Sequence, residues 1–178
     1  MGRRAGWRKF GVWIVVFVLI IWPIYRIYGY LNQHTGSYNA SVLLYQVAQF
    51  QIELLNSSLT EAAKAQDTRG LDSLRLSAYS ANYTHERLVL AVGEGKLTPL
   101  HSIDQLVQYV LRVQIGGARA LRPDEKETLA KAGQIFKDIF EGYGKLLSSS
   151  GKPLASHNDE LAKFDEELAE LLKKRLLP

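Results

Sequence analysis

The sequence predicts an all-α protein, with one N-terminal transmembrane helix followed by an up-and-down bundle of four or five helices. Three observations lead to this prediction. A long apolar run fills residues 10–31. Beyond it, apolar residues recur at spacings of three and four, the period of one helical face. No stretch alternates between apolar and polar residues as a strand does, and no internal repeat of about 20–50 residues is present.

The first predicted element is the apolar run itself, FGVWIVVFVLIIWPIYRIYGYL. A membrane helix needs roughly 20 residues to cross about 30 Å of hydrocarbon. The run reaches this length if the basic residues at its two ends extend their charges to the two membrane surfaces. Aromatic residues gather at both ends, as they do at membrane interfaces. The residues expected to anchor the chain are Trp7, Lys9, Trp13, Trp22, Tyr25 and Arg26.

The charges around the run predict its orientation. Four basic residues lie in the tail 1–9, and positive charge stays on the cytoplasmic side. We therefore expect a single-pass protein of the cell membrane with a cytoplasmic N-terminus, a polar hinge at 32–37 and an extracytoplasmic remainder. A cleaved signal peptide would have a shorter apolar region followed by small residues, whereas this run ends in bulky aromatic ones.

Composition excludes several classes of function. The chain has 22 Lys and Arg against 18 Asp and Glu, and the four basic residues of the tail account for the whole excess. Binding to nucleic acid requires a basic surface that neutralises phosphates, so we predict no nucleic-acid partner. The absence of cysteine excludes disulfides, thiolate metal sites and cysteine nucleophiles.

The first helix of the predicted bundle (38–147) should run from about residue 38 to 66. An apolar stripe at spacings of three and four marks the face that we expect to be buried. Three further apolar residues, Val47, Phe50 and Leu54, should widen that stripe inside the bundle. The stripe consists of Leu44, Ala48, Ile52, Leu55, Leu59 and Ala62.

Start and stop signals delimit the next three helices. Asp67 or Thr68 can cap the second helix, and the glycines after Val92 should end it. The third helix should begin near Ser102. Its later part contains Gly116-Gly117, which predicts either a kink or the close approach of a neighbouring backbone. The fourth helix should begin at the Arg122-Pro123 step, with proline in its first turn.

The segment 148–153, Ser-Ser-Ser-Gly-Lys-Pro, is the predicted linker to a C-terminal amphipathic helix at 154–178. Apolar residues in this helix are spaced like the seam of a short coiled coil. The seam could bind a helix of a partner protein or pack back on its own bundle, and the sequence leaves both open. Its residues are Leu161, Phe164, Leu168 and Leu171.

No motif indicates catalysis. The four histidines are scattered. His85-Glu86 begins like the zinc motif HExxH, but Val89 occupies the position of the second histidine. We therefore predict no catalytic residue, no metal site and no cofactor, and we do not expect an enzyme. Tyr79, Tyr83 and His85 are the candidates for a small-ligand pocket between helices, although amphipathic residues at the edge of a core would show the same pattern.

Three asparagines begin N-glycosylation sequons on the predicted outer side: Asn39, Asn56 and Asn82. A helix surface rich in serine and threonine would produce the same tripeptides. The sequence therefore leaves open whether these asparagines carry glycans.

These features together predict a function. We expect a non-catalytic interaction, assembly or accessory subunit of an envelope complex, with other membrane or envelope proteins as partners and self-association left open. The alternative is a sensor-like, ligand-binding outer domain that signals through a partner protein. The layout (basic tail 1–9, one span, outer helices, no cysteine) is similar to that of small envelope proteins of spore-forming bacteria, including the helical N-terminal region of germination proteins of the YpeB type. That resemblance implies a role in sporulation or germination.

Overall fold

The computed structural model describes residues 40–93, 95–148 and 151–176. Every described residue belongs to the compact unit Asn39–Pro178. The predicted tail, span and hinge lie outside the described residues. Among the helices that are described, none is both long and apolar enough to cross a membrane.

The described part of the chain contains five α-helices, and the only pairings between extended segments there are two isolated bridges. A 3-10 turn at Thr68–Leu71 precedes the second helix. The predicted all-α bundle is therefore confirmed. The helices are α1 (Ala40–Ala62), α2 (Asp72–Val92), α3 (His101–Gln114), α4 (Pro123–Tyr143) and α5 (Ala155–Leu176).

Successive helices run in opposite directions, but their order around the bundle is α1, α2, α3, α5, α4. The last helix packs on both α3 and α4. It runs parallel to α3, because Thr98 before α3 bonds Asn158 at the start of α5, while Arg112 near the end of α3 bonds the carbonyl of Leu176. The C-terminal helix thereby completes a ring of five helices around one core.

Local side chains begin two of the helices as the sequence predicts. The Asp67 carboxylate accepts hydrogen bonds from the backbone N–H groups of Arg69 and Gly70 at 3.0 and 3.3 Å and caps the 3-10 turn before α2. At α4, Pro123 lies in the first turn. The Glu125 carboxylate accepts the backbone N–H of Arg122 at 2.8 Å. These acceptors satisfy donors that a helix N-terminus leaves free.

The prediction of a kink or a close backbone approach at Gly116-Gly117 was wrong. The third helix ends at Gln114, and the two glycines form the following turn with φ of 99° and 84°. These angles lie in the left-handed region that favours glycine, and a Cβ at either position would meet nothing within 4 Å. The loop then returns to the 3-10 turn, where the Thr68 hydroxyl donates to the Gly117 carbonyl at 2.9 Å.

The predicted core stripe of α1 is largely confirmed, but its predicted widening was wrong. Five of the six stripe residues are buried, and Leu44 is partly buried. Val47, Phe50 and Leu54 are instead exposed by 49%, 55% and 39%. The physical reason is that α1 packs against α2 and α4 on its inner side only, and no other described element covers its outer side.

The connection between α4 and α5 is a tight loop where it is described. The N–H of Ser148 donates to the Lys152 carbonyl at 2.9 Å, and the N–H of Leu154 donates to the Leu146 carbonyl at 3.0 Å. Gly151 has a φ of 78°, a value suited to glycine in a turn. These bonds fix the point from which α5 returns to the bundle.

Candidate functional site

Large apolar side chains are exposed mainly on the first two helices. Of the eleven that are exposed in the described part of the chain, four lie on α1 and four on α2. Exposed apolar side chains that form a contiguous patch often mark an interaction site. We call the two groups the α1 stripe (Leu43, Val47, Phe50 and Leu54) and the α2 stripe (Leu76, Tyr79, Tyr83 and Leu90).

The α1 stripe has spacings of four, three and four residues, so its side chains lie along one line on the helix. The buried residues of α1, such as Ile52 and Leu55, lie on the opposite face. This helix is also unusual in its charge. It has no charged residue from Ala40 to Ile52, and only Glu53 and Glu61 beyond. The stripe is therefore an apolar line with uncharged flanks over most of its length.

The α2 stripe differs in composition. Leu76, Tyr79, Tyr83 and Leu90 are exposed by 50% or more. The Arg87 guanidinium lies 4.8 Å from the centroid of the Tyr83 ring, a cation–π contact. Tyrosine and arginine are enriched at protein interfaces and among the residues that contribute most to binding. The α2 stripe thus has the composition of a protein-binding surface.

Buried polar contacts beneath these stripes join three helices. The Tyr45 hydroxyl of α1 donates to the backbone carbonyl of Tyr143 in α4 at 2.6 Å, and the two rings stack with centroids 5.8 Å apart. The Tyr143 hydroxyl lies 3.0 Å from Nδ1 of His85 in α2. Through these bonds α4 holds both α1 and α2, which fixes the faces that each helix turns outward.

The protonation state of His85 follows from its two partners. Its Nε2 lies 2.9 Å from the Thr98 carbonyl, which can only accept, so Nε2 carries the proton. Nδ1 is then the acceptor of the Tyr143 hydroxyl. Burial lowers the pKa of His85 from 6.5 to about 4, because desolvation disfavours the imidazolium. This histidine is neutral at physiological pH, and both of its ring nitrogens are engaged.

The predicted partner seam of α5 lies against the chain's own helices. Leu161 and Leu168 are fully buried, and Phe164 and Leu171 are partly buried and pack against the core. A polar contact holds the same face, since the Asp165 carboxylate accepts the backbone N–H groups of His101 and Ser102 at 3.0 Å and the Ser102 hydroxyl at 2.5 Å.

Asp165 caps α3 from a neighbouring helix. Burial raises the pKa of Asp165, and its hydrogen bonds with Ser102 and His101 oppose that rise. The sequence left two alternatives open, and in the structure the seam packs on the chain's own bundle. A partner helix could reach it only if α5 left the bundle.

Two of the clefts between the described helices border charged or buried polar residues. One, of about 420 Å³, is lined by four arginines and two carboxylates. In this cleft the Arg119 guanidinium donates two hydrogen bonds, of 2.6 and 2.8 Å, to the buried Glu125 carboxylate. The hydrogen bond from Arg119 holds the pKa of Glu125 below its usual value. The other cleft, of about 500 Å³, lies between α2 and α3 and includes His85, Leu90 and Pro99.

The structure does not bring the three predicted pocket residues together. His85 is buried in the core and borders the larger cleft. Tyr79 and Tyr83 lie on the outer face of α2, within the α2 stripe. The six predicted anchor residues lie outside the described residues. Two sequon asparagines lie within helices, and the Asn82 amide donates to the Glu86 carboxylate at 3.1 Å.

Among the described residues, no group of three or more histidine, aspartate or glutamate side chains is arranged to hold a metal ion. We then compared the chain with known proteins. It matches no family model, no curated protein and no solved structure.

Proposed function

We propose that this chain is a non-catalytic docking subunit, held in the membrane by residues 10–31, whose outer helical bundle binds other membrane or envelope proteins. The observation that supports the proposal best is the α2 stripe, which exposes two leucines and two tyrosines on one helix. Its position on a rigid bundle favours docking, because the helix need not be ordered when the partner binds.

The tether is argued from the sequence. The apolar run is long enough to span a bilayer, its ends carry aromatic and basic residues, and the tail 1–9 is basic. The described domain begins shortly after the hinge 32–37. A partner in the same membrane would therefore meet the bundle at a high local concentration.

The non-catalytic character is supported by the environment of His85. It is the only buried histidine in the described part of the chain. A general base needs a nitrogen free to accept a proton from a substrate, and both nitrogens of His85 bond to groups of the protein. In the arginine-lined cleft, Arg119 and Glu125 likewise bond to each other.

The test is co-purification of the full-length chain in mild detergent, with charge placed on the α2 stripe. We expect Leu76→Asp combined with Tyr83→Asp to remove the proteins that co-purify with the unaltered chain. Both side chains are exposed, by 64% and 59%, so the fold should persist. Helical content, measured by circular dichroism, should be unchanged.

The matched control is Lys137→Asp combined with Lys163→Asp, which alters exposed residues on α4 and α5. This control should keep the same partners. Equal retention of partners by both double variants would contradict the docking proposal. Recovery of the full-length chain in the soluble fraction would contradict the tether.

The α2–α3 cleft favours the second candidate function, a sensor-like domain that binds a small ligand. Its volume of about 500 Å³ lies within the usual range of ligand pockets. A ligand that binds the folded state raises the thermal midpoint of the chain. A metabolite that does so, and whose effect is lost in a Leu90→Asp variant at the rim of the cleft, would favour the sensor over the docking subunit.

A further inference from the structure

We propose that the α1 stripe is a self-association seam, along which two copies of this chain pair α1 against α1 in parallel. This inference depends on the tether of the proposed function. A second copy of the chain would cover the exposed α1 stripe, which no other described element covers.

The spacing of the stripe matches the seam of a two-stranded coiled coil. With steps of four, three and four residues, Val47 and Leu54 occupy the a positions of a heptad, and Leu43 and Phe50 occupy the d positions. In parallel coiled coils, a β-branched residue at a with leucine at d favours two strands. Val47 and Leu43 fit that rule, whereas Leu54 and Phe50 do not. The line is one residue wide, which suits a single partner helix.

The charges of α1 favour a second copy over another partner. Residues beside a seam select the partner helix through charge pairs. Besides Leu44, which is partly buried, the flanking residues of the α1 stripe are Gln46, Gln51, Glu53 and Ser58. In a parallel pair, Gln46 of one copy would face Gln51 of the other, and Glu53 would face Ser58. No like charges would meet, whereas a helix with charged flanks would gain no ion pair here.

The tether supplies the direction and the local concentration. Two copies inserted in one membrane with the same orientation would both begin α1 on the same side of that membrane, which favours a parallel seam. From Leu43 to Leu54 the stripe extends about 16 Å, at 1.5 Å per residue. A seam of four side chains per copy is far smaller than the roughly 20–30 residues a side of a stable interface. Pairing should therefore require the shared membrane.

The chain contains no cysteine, so a single introduced cysteine reports contact between copies without interference. In the full-length chain in its membrane, Val47→Cys should form a disulfide-linked dimer on mild oxidation, because position 47 of one copy would meet position 47 of the other. Ala91→Cys, on the exposed surface of α2, is the matched control and should remain monomeric. Non-reducing electrophoresis separates the two products.

A second variant separates the stripe from the span as the cause of pairing. Adding Phe50→Asp and Leu54→Asp to Val47→Cys should abolish the cross-link, because like charges would then face each other along the seam. Persistence of the cross-link in this variant would overturn the inference. Absence of the cross-link in Val47→Cys alone would also overturn it, and this is the result expected if another segment of the chain covers the stripe.

The two proposals fail in different ways. If Val47→Cys does not cross-link while the α2-stripe variants still lose their partners, self-association is wrong and docking stands. If the full-length chain does not sediment with membranes, the tether is wrong, and parallel pairing is overturned with it.

Discussion

The α1 stripe and the α5 seam look alike in the sequence but have opposite positions in the fold. Both are apolar lines with alternating steps of three and four residues. Leu161 and Leu168 of the seam are fully buried, whereas the α1 stripe is exposed by 39–55%. Because helical periodicity is the same for a core face and a docking face, it cannot distinguish them.

The difference between the two lines lies in what else each helix has to bury. The first helix carries a second apolar line, including Ile52 and Leu59, and that line packs in the core. The fifth helix carries acidic and basic residues around its seam and has no other apolar face. A helix with one apolar face must turn it inward, whereas a helix with two can leave one outside.

The largest expected effect tests this contrast with the same substitution at two leucines. Leu168→Asp should destabilise the full-length chain by more than about 4 kcal/mol, because it removes a buried apolar side chain and places a charge in the core. Chemical denaturation in mild detergent, followed by circular dichroism, measures the loss of helix.

Leu54→Asp in the α1 stripe is the matched variant. It changes an exposed leucine and should alter the free energy of unfolding by about 0.5 kcal/mol or less. Equal destabilisation by the two variants would show that the α1 stripe is covered within its own chain, and the contrast between the two lines would fail.

The next effect concerns the contacts that set the orientation of α1 and α2. Folding lowers the pKa of His85 from 6.5 to about 4. Between these pH values the His85 imidazole is therefore protonated more readily in the unfolded chain than in the folded one. The full stability is present above pH 6.5 and is lost as the pH falls towards 4. At pH 5 the loss should be about 2 kcal/mol.

Measuring the free energy of unfolding at pH 7 and at pH 5 tests this. His85→Gln should be less stable at pH 7 and should lack the histidine part of the pH dependence, whereas His101→Gln, at an exposed position, should keep it. If His85→Gln and the unaltered chain lose equal stability between these pH values, His85 is not the group that titrates.

A smaller effect than the loss at pH 5 is expected for Tyr45→Phe, which removes the hydroxyl that bonds the Tyr143 carbonyl. The loss of one hydrogen bond should cost about 1 kcal/mol, since the stacked ring is kept. In a chain that also carries Val47→Cys, the same change should weaken the cross-link if Tyr45 orients the α1 stripe. An undiminished cross-link would show that packing alone sets the rotation of α1.

The sequence identifies the helices and most of their ends. Asp67, Pro123 and Gly93 mark boundaries by local chemistry, through capping, a fixed φ and a left-handed turn. The position of the third helix end was missed because Gly116-Gly117 can continue, kink or end a helix. The structure shows an ending, since the loop bonds back to Thr68.

The candidate site was less predictable. Tyr79, Tyr83 and His85 are close in sequence, but on a helix a step of two residues from Tyr83 to His85 turns the side chain by more than half a circle. The signal that could have found the α1 stripe was its second set of apolar residues at steps of three and four. Three of its members, Val47, Phe50 and Leu54, equally fit a wide core face, because a long helix in a bundle often buries one.

By itself the sequence determined that the bundle is helical, where its caps lie, that its charge is balanced outside the tail, and that it contains no cysteine chemistry. These follow from local propensity and composition. Only the tertiary structure decided that α5 packs between α3 and α4, that His85 is neutral and enclosed, and that α1 and α2 turn apolar residues outward. The reason is that a helix is specified by residues a few positions apart, whereas the face it buries depends on which distant helices pack against it.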